Sequence, residues 1–140
     1  IKKTKFKKNK NSQVLLKIFV SMGYCRDYNI LKKCTLHYPI LFPIYDLYCL
    51  RHSSYLPINN RNKGNILFPH QSGIFISGEA IIGENCIIYQ HVTIGPTYYG
   101  SSSNMGSPSA GDNCVIGAGA KLIGAIDIGN NRRLVQIVLL

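Results

Sequence analysis

The sequence predicts a mainly β protein: a parallel coil of short stacked strands, preceded by a short α-helical leader. Three observations carry that reading. A six-residue period runs through most of residues 76–129, apolar residues before it recur at helical spacing, and the charge of the chain changes sharply between the two parts.

The leader comes first, over residues 1–58. From about Val14 to Leu56 it is rich in Leu, Ile, Tyr and Phe, and Val14, Leu15, Ile18, Phe19 and Met22 fall on one helical face. Gly23, Pro39, Pro43 and Pro57 limit the helices, because proline lacks the N–H that a helix interior needs and crowds the preceding turn. Residues 1–63 hold 13 of the 16 Lys and Arg residues and only Asp27 and Asp46, a balance of +11, whereas residues 64–140 balance at −1. Clustered basic residues can neutralise phosphates, but a run such as Lys2-Lys3-Thr4-Lys5-Phe6-Lys7-Lys8 is read as a solvated end. No nucleic-acid partner is expected.

The apolar runs at Ile40–Ile44 and Ile66–Ile76 are broken by Pro, His and Gly, and neither approaches the ~20 residues a membrane span needs. Ile1 stands where a start methionine would, and the Lys-rich opening leads to no apolar core with a small-residue cleavage site. The expectation is a trimmed or partial chain that is cytoplasmic. Five cysteines, Cys25, Cys34, Cys49, Cys86 and Cys114, form an odd set with no CxxC pair, which fits reduced thiols.

Asn59-Asn60-Arg61-Asn62-Lys63-Gly64-Asn65 supplies turn formers and marks the boundary of the repeat domain, residues 59–131. The frame reads Ile76-Ser-Gly-Glu-Ala80-Ile, Ile82-Gly83-Glu-Asn-Cys86-Ile, Ile88-Tyr-Gln-His-Val92-Thr and Ile94-Gly95. It resumes at Ala110-Gly111-Asp-Asn-Cys114-Val, Ile116-Gly117-Ala-Gly-Ala120-Lys, Leu122-Ile-Gly-Ala-Ile126-Asp and Ile128-Gly129. Each unit gives one short strand and one tight turn, and three units close a triangular coil. The first-position aliphatics then stack inside, the small fifth-position residues sit where little room remains, and Gly or Asn takes the turn angles other residues avoid. A coil cannot bury its face alone, so coils stack. Ile82, Ile88, Ile94, Ile116, Leu122 and Ile128 are expected to point inward. From Ile94 to Ala110 the spacing is not a multiple of six, so a Gly-, Ser- and Tyr-rich loop at 96–109 must leave the prism, and loops of that length are commonly functional.

Pro69-His70-Gln71-Ser72-Gly73-Ile74-Phe75-Ile76, Ile82 through Gly95 with its Tyr89-Gln90-His91-Val92-Thr93-Ile94-Gly95 coil, and Ile116-Gly117-Ala118-Gly119-Ala120-Lys121 together resemble the hexapeptide-repeat acyltransferases, and within them the serine acetyltransferases. The resemblance covers about residues 64–131 and implies a left-handed parallel β-helix, a homotrimer, and acetyl transfer from acetyl-coenzyme A to a small-molecule hydroxyl. It places His70 at the catalytic base position, where an imidazole titrating near neutrality takes the proton of a poorly nucleophilic alcohol. It assigns Ala118 and Gly119 to coenzyme A binding, with the pantetheine arm reading backbone amides. His91 is read as structural, and His37 and His52 carry no motif.

Two departures affect the acceptor. Pro69 stands where such enzymes have an acidic residue before the catalytic His, and Ser107-Pro108 replaces a His-Pro pair after the loop. Serine is the first expectation and a sugar hydroxyl of surface-polysaccharide synthesis the alternative, as is a catalytically inactive remnant. A metal enzyme on the same prism would need three His ligands; the repeats hold only His70 and His91, so no metal is expected. Residues 132–140 lose the Gly-turn pattern. One permitted codon choice for them reads in another frame as Lys-Ile-Gly-Ala-Asn-Cys-Val-Val, a proper hexad, so this tail is expected to be a frameshift product that truncates the coil.

Overall fold

The computed structural model describes residues 28–58, 64–98 and 105–135. Helices α1 (Tyr28–His37) and α2 (Phe42–Arg51) are joined by a single tight helical turn at Pro39–Leu41. Pro39 and Pro43 occupy first-turn positions, where the N–H they lack would have had no helical partner. They therefore start helical segments, where the sequence reading had them only limiting length. The Val14–Met22 stripe, Gly23 and Cys25 lie outside the described residues.

Ten short strands follow: β1 (Ile66–Leu67), β2 (Phe75–Ile76), β3 (Ile81–Ile82), β4 (Cys86–Ile88), β5 (Thr93–Gly95), β6 (Ser109–Ala110), β7 (Val115–Ile116), β8 (Lys121–Ile123), β9 (Asp127–Ile128) and β10 (Arg133–Leu134). Every third strand pairs, in the orders β1-β4-β7-β10, β2-β5-β8 and β3-β6-β9, and every ladder is parallel. That order is a three-sided β-helix. Its register stacks like on like: Ile76 over Ile94 over Leu122, and Ile82 over Ala110 over Ile128.

All six aliphatics expected inside are buried, as are the fifth-position residues Ala80, Cys86, Val92, Cys114 and Ala120. Each fully buried Ile contributes about 1.5–3 kcal/mol, so a stack of them supplies most of the driving force. Ile126 is the exception at 37% exposed. Gly124 adopts a φ of 95° and its carbonyl accepts the Ile126 N–H at 2.8 Å, a turn too tight to seat the side chain inside. Cys86 and Cys114 each donate a thiol hydrogen bond of 3.2 Å to the next coil, to Gly111 O and Gly129 O. Burial pushes the Cys86 thiol up from its ordinary value, so it packs and bridges rather than reacts.

One corner of the prism repeats a single device. Asn85, Asn113 and Asn131 hold φ values of 55°, 56° and 59°, a left-handed conformation that Asn tolerates better than most residues. The residue before each lies at the same corner, and Asp112 Oδ1 accepts the Glu84 N–H while Asn130 Oδ1 accepts the Asp112 N–H, both at 2.8 Å. Successive coils are thereby laced together.

The leader forms the first layer of this stack. The Tyr28 ring meets Phe68 edge-on at 5.1 Å, and the Asn29 amide makes both hydrogen bonds that a strand neighbour would give Ile66. Tyr55 pairs in parallel with Phe75, extending the β2 ladder by one residue. Helices and coil share one apolar core, across the boundary read near residue 59.

The ladder also continues past residue 131. Leu134, six residues after Ile128, pairs with Ile116 and is partly buried against the core. Backbone pairing is indifferent to side chains, and Val115 and Gly117 donate their N–H groups to Arg132 O and Leu134 O at 2.8 and 2.7 Å. Arg132 occupies the slot filled by Cys86 and Cys114 in earlier coils, and its side chain is exposed. Residues 136–140 lie outside the described residues.

Candidate active site

A second corner gathers the expected site residues. Ser53, Gly73, His91 and Gly119 have φ values of 47°, 63°, 58° and 72°. A column of hydrogen bonds joins them from coil to coil: Gly73 N–H to His52 O at 3.1 Å, His91 N–H to Ser72 O and Gly119 N–H to Gln90 O, both at 2.9 Å. The pairs His52–Ser53, Ser72–Gly73, Gln90–His91 and Ala118–Gly119 are therefore equivalent steps of one edge.

His70 begins the turn between β1 and β2 that leads into this edge, and it is exposed. The leader holds that turn. Buried Tyr48 on α2 donates its hydroxyl to Gln71 Oε1, the carbonyl of His52 just past α2 accepts from Gly73, and Ser54 Oγ accepts the Ile74 N–H at 3.1 Å. Tyr48 and Ser54 were not singled out in the sequence, where nothing periodic marks them, and His52 was set aside there as carrying no motif. The His52 ring lies against Tyr48, with centroids 4.9 Å apart.

Ala118 and Gly119 lie two coils beyond the His70 turn on the same edge, and at about 4.8 Å per strand spacing that is some 10 Å. The Gly119 N–H is spent on Gln90 O, so the amide expected to read a pantetheine arm is already engaged; the corner offers that arm carbonyls and small side chains. Between the two lies Gln90, whose Oε1 is buried without a hydrogen-bond partner among the described residues. An unsatisfied buried acceptor is unusual, and this one is enclosed by the protein, out of reach of a ligand on the surface.

The chain leaves the ladder after β5 and has rejoined it at β6, so Ser109, read from the sequence as part of the loop at 96–109, is already paired with Ile81 and Asp127. Thr97 and Gly106 bridge in antiparallel fashion at the base of the loop, and residues 99–104 lie outside the described residues. Ser107 Oγ donates to Glu79 Oε2 at 2.9 Å, tying the returning strand to the corner after β2. Among the described residues, no group of three or more His, Cys, Asp or Glu side chains could hold a metal, and no helix is long and apolar enough to cross a membrane.

No family model matches the chain. Among curated proteins it is similar to serine acetyltransferase of Synechococcus elongatus, 45% identical over 69 residues, which is 49% of this chain and 28% of that protein. It is also similar to serine acetyltransferase 5 of Arabidopsis thaliana, 42% identical over 70 residues, 50% of this chain and 22% of that one. The chain thus spans less than a third of the length of these relatives. Among solved structures, serine acetyltransferase of Neisseria gonorrhoeae superposes with a TM-score of 0.57 at 20% identity, covering 87% of this chain and 56% of that one. Serine acetyltransferase 1 of Entamoeba histolytica, solved with L-cysteine, gives 0.50 at 24% identity over 76% of this chain and 48% of that one. Across about half its length this chain is similar in sequence to serine acetyltransferases, and its fold is the left-handed parallel β-helix of those proteins.

Proposed function

We propose that the chain belongs to an acetyl-coenzyme A-dependent O-acetyltransferase, with serine as the first acceptor to test and His70 as general base. The observation that carries this is the shared edge: one column of backbone hydrogen bonds runs from the turn that follows His70 to the Ala118–Gly119 step along a single corner. The donor supplies an acetyl thioester. His70 accepts the acceptor's hydroxyl proton as that oxygen bonds to the acyl carbon, and the same imidazole then returns a proton to the sulfur as the carbon–sulfur bond breaks. Tyr48 and the His52 carbonyl keep the turn that carries this imidazole in place. A homotrimer, as the resemblance implies, and a cytoplasmic setting complete the reading.

A sugar hydroxyl is the second acceptor to test, and one observation favours it. Ser107, at the position where serine-acetylating relatives would carry the first residue of a His-Pro pair, is bonded to Glu79, so no imidazole stands there to hold an amino-acid substrate. Turnover of acetyl-coenzyme A with L-serine and with free sugars, followed by thiol release, tests both. Serine-dependent release supports the first reading, sugar-dependent release the second. Release with neither acceptor leaves the chain an inactive β-helix.

A further inference from the structure

Each wall of the prism carries one column of outward side chains. On the β1-β4-β7-β10 wall the column runs Leu67, Ile87, Val115 and Arg133, and on the β3-β6-β9 wall Ile81, Ser109 and Asp127. On the β2-β5-β8 wall it runs Tyr55, Phe75, Thr93 and Lys121. Aromatic rings thus stand in one column of the three. Each follows the candidate corner by two residues, Tyr55 after Ser53 and Phe75 after Gly73, and Gly73 ends the turn that carries His70.

The two rings stack, with centroids 5.4 Å apart and planes 26° apart, yet Tyr55 is 53% and Phe75 55% exposed. Leaving that much apolar surface in water forgoes most of the gain its burial would bring. The backbone beneath is fixed: the Tyr55 N–H bonds to Ile74 O at 2.8 Å, the Tyr55 carbonyl accepts from Ile76 at 2.9 Å, and the Phe75 N–H bonds to Val92 O at 2.8 Å. Tyr55 covers one face of Phe75, so the other face looks along the column toward Thr93. Thr93 is short, and the Lys121 rung stands ~10 Å from Phe75 at ~4.8 Å per strand. A ring stacked on Phe75, about 4.5–7 Å from its centroid, would lie over Thr93. Lys121 Nζ reaches the same place, donating to Thr93 Oγ1 at 2.7 Å and to His91 O at 3.2 Å, with a third N–H left to give.

We propose that this wall is an acceptor platform: Phe75, backed by Tyr55, stacks on the face of a pyranose ring while Lys121 donates to a hydroxyl on its rim. The proposal rests on the acyltransferase reading above and deepens its second acceptor. An aromatic face is electron-rich, and the C–H groups on one side of a sugar ring are electron-poor, so the two attract while the hydroxyls at the rim keep polar partners. Free serine has no flat face to lay on Phe75, and the platform would not select it.

Thiol release from acetyl-coenzyme A by the whole chain tests this, with glucose, galactose or N-acetylglucosamine as acceptor and sorbitol as a polyol without a ring. A pyranose should be favoured over sorbitol about fivefold to tenfold in kcat/KM. Phe75→Leu, which keeps an apolar strand residue, should remove that preference, and Phe75→Tyr should keep it. Lys121→Met, at an exposed position, should raise the pyranose KM about fivefold and leave the acetyl-coenzyme A KM where it was. A preference that survives Phe75→Leu overturns the platform, and so does an unchanged pyranose KM in Lys121→Met, which decides the matter should Phe75→Leu fail to fold. A rise in the acetyl-coenzyme A KM instead would give the lysine to the donor and overturn the assignment. Release with serine and with none of the pyranoses overturns the platform and leaves the acyltransferase reading standing, whereas release with no acceptor at all overturns both.

Discussion

Two corners of one prism meet the same backbone demand in different ways. At the first, Asn85, Asn113 and Asn131 repeat, and the side chains of Asp112 and Asn130 are spent on the N–H groups of the preceding coil. At the second, Ser53, Gly73, His91 and Gly119 take the equivalent steps, and backbone alone makes the column. A corner that repeats one residue and consumes its own polar groups is architecture. A corner that varies, and whose column is made by backbone alone, spends no side chain on that task.

That contrast is testable at three depths, and a fourth test lies outside it. His70→Ala, next to the varied corner, should lower turnover by about 10²–10⁴ while leaving the fold intact; steady-state rates beside a circular dichroism melt decide it, and wild-type turnover would remove His70 from the mechanism. Gly83→Ala, at the repeating corner, should cost about 2–3 kcal/mol. Its new Cβ would lie 2.4 Å from Asp112 Oδ1 and 2.5 Å from the Gly111 carbonyl carbon, and that backbone cannot step aside. Urea denaturation measures it, and a stable variant would mean the lacing is loose.

Asn113→Ala should cost about 1 kcal/mol through its positive φ alone, and Asn113→Gly close to nothing. Equal loss in both would show that the Asn side chain, rather than its backbone tolerance, holds the corner. The smallest effect belongs to neither corner and appears only in alkali. Burial pushes the Cys86 thiol up from 9.0 and the Tyr45 phenol up from 10.0, so the folded state holds these protons more tightly than the unfolded chain does. Stability should be level below the ordinary thiol pKa and fall as pH rises beyond it. Thermal midpoints across that range, with Cys86→Ala as comparison, would show the fall; a level profile would refute it.

The hexad was legible because its cause is local. A strand, a turn and an inward aliphatic recur within six residues, so Ile82, Ile88 and Ile116 declare their places without reference to anything distant. Asn29 bonding to Ile66, and Tyr48 to Gln71, join residues far apart in the chain by single contacts, and no period announces them. His91 lay between these cases. Its place in the hexad was readable, but the nearness of its ring to Gly73, where an added Cβ would lie 2.5 Å from Nδ1, depends on coils stacking with one particular offset. The continuation through Leu134 was missed for a different reason: the Gly-turn signature ended before the aliphatic position did.

The excursion between β5 and β6 has a thermodynamic side. Strands paired across it, such as β3 with β6, are separated by 28 residues, whereas β6 and β9 are separated by 18. Closing the longer segment costs only about 0.4 kcal/mol more in chain entropy, since the penalty grows with the logarithm of length. Insertions or deletions at the loop tip would barely register in folding, so this segment is free to diversify at a rate the coil beneath it cannot follow.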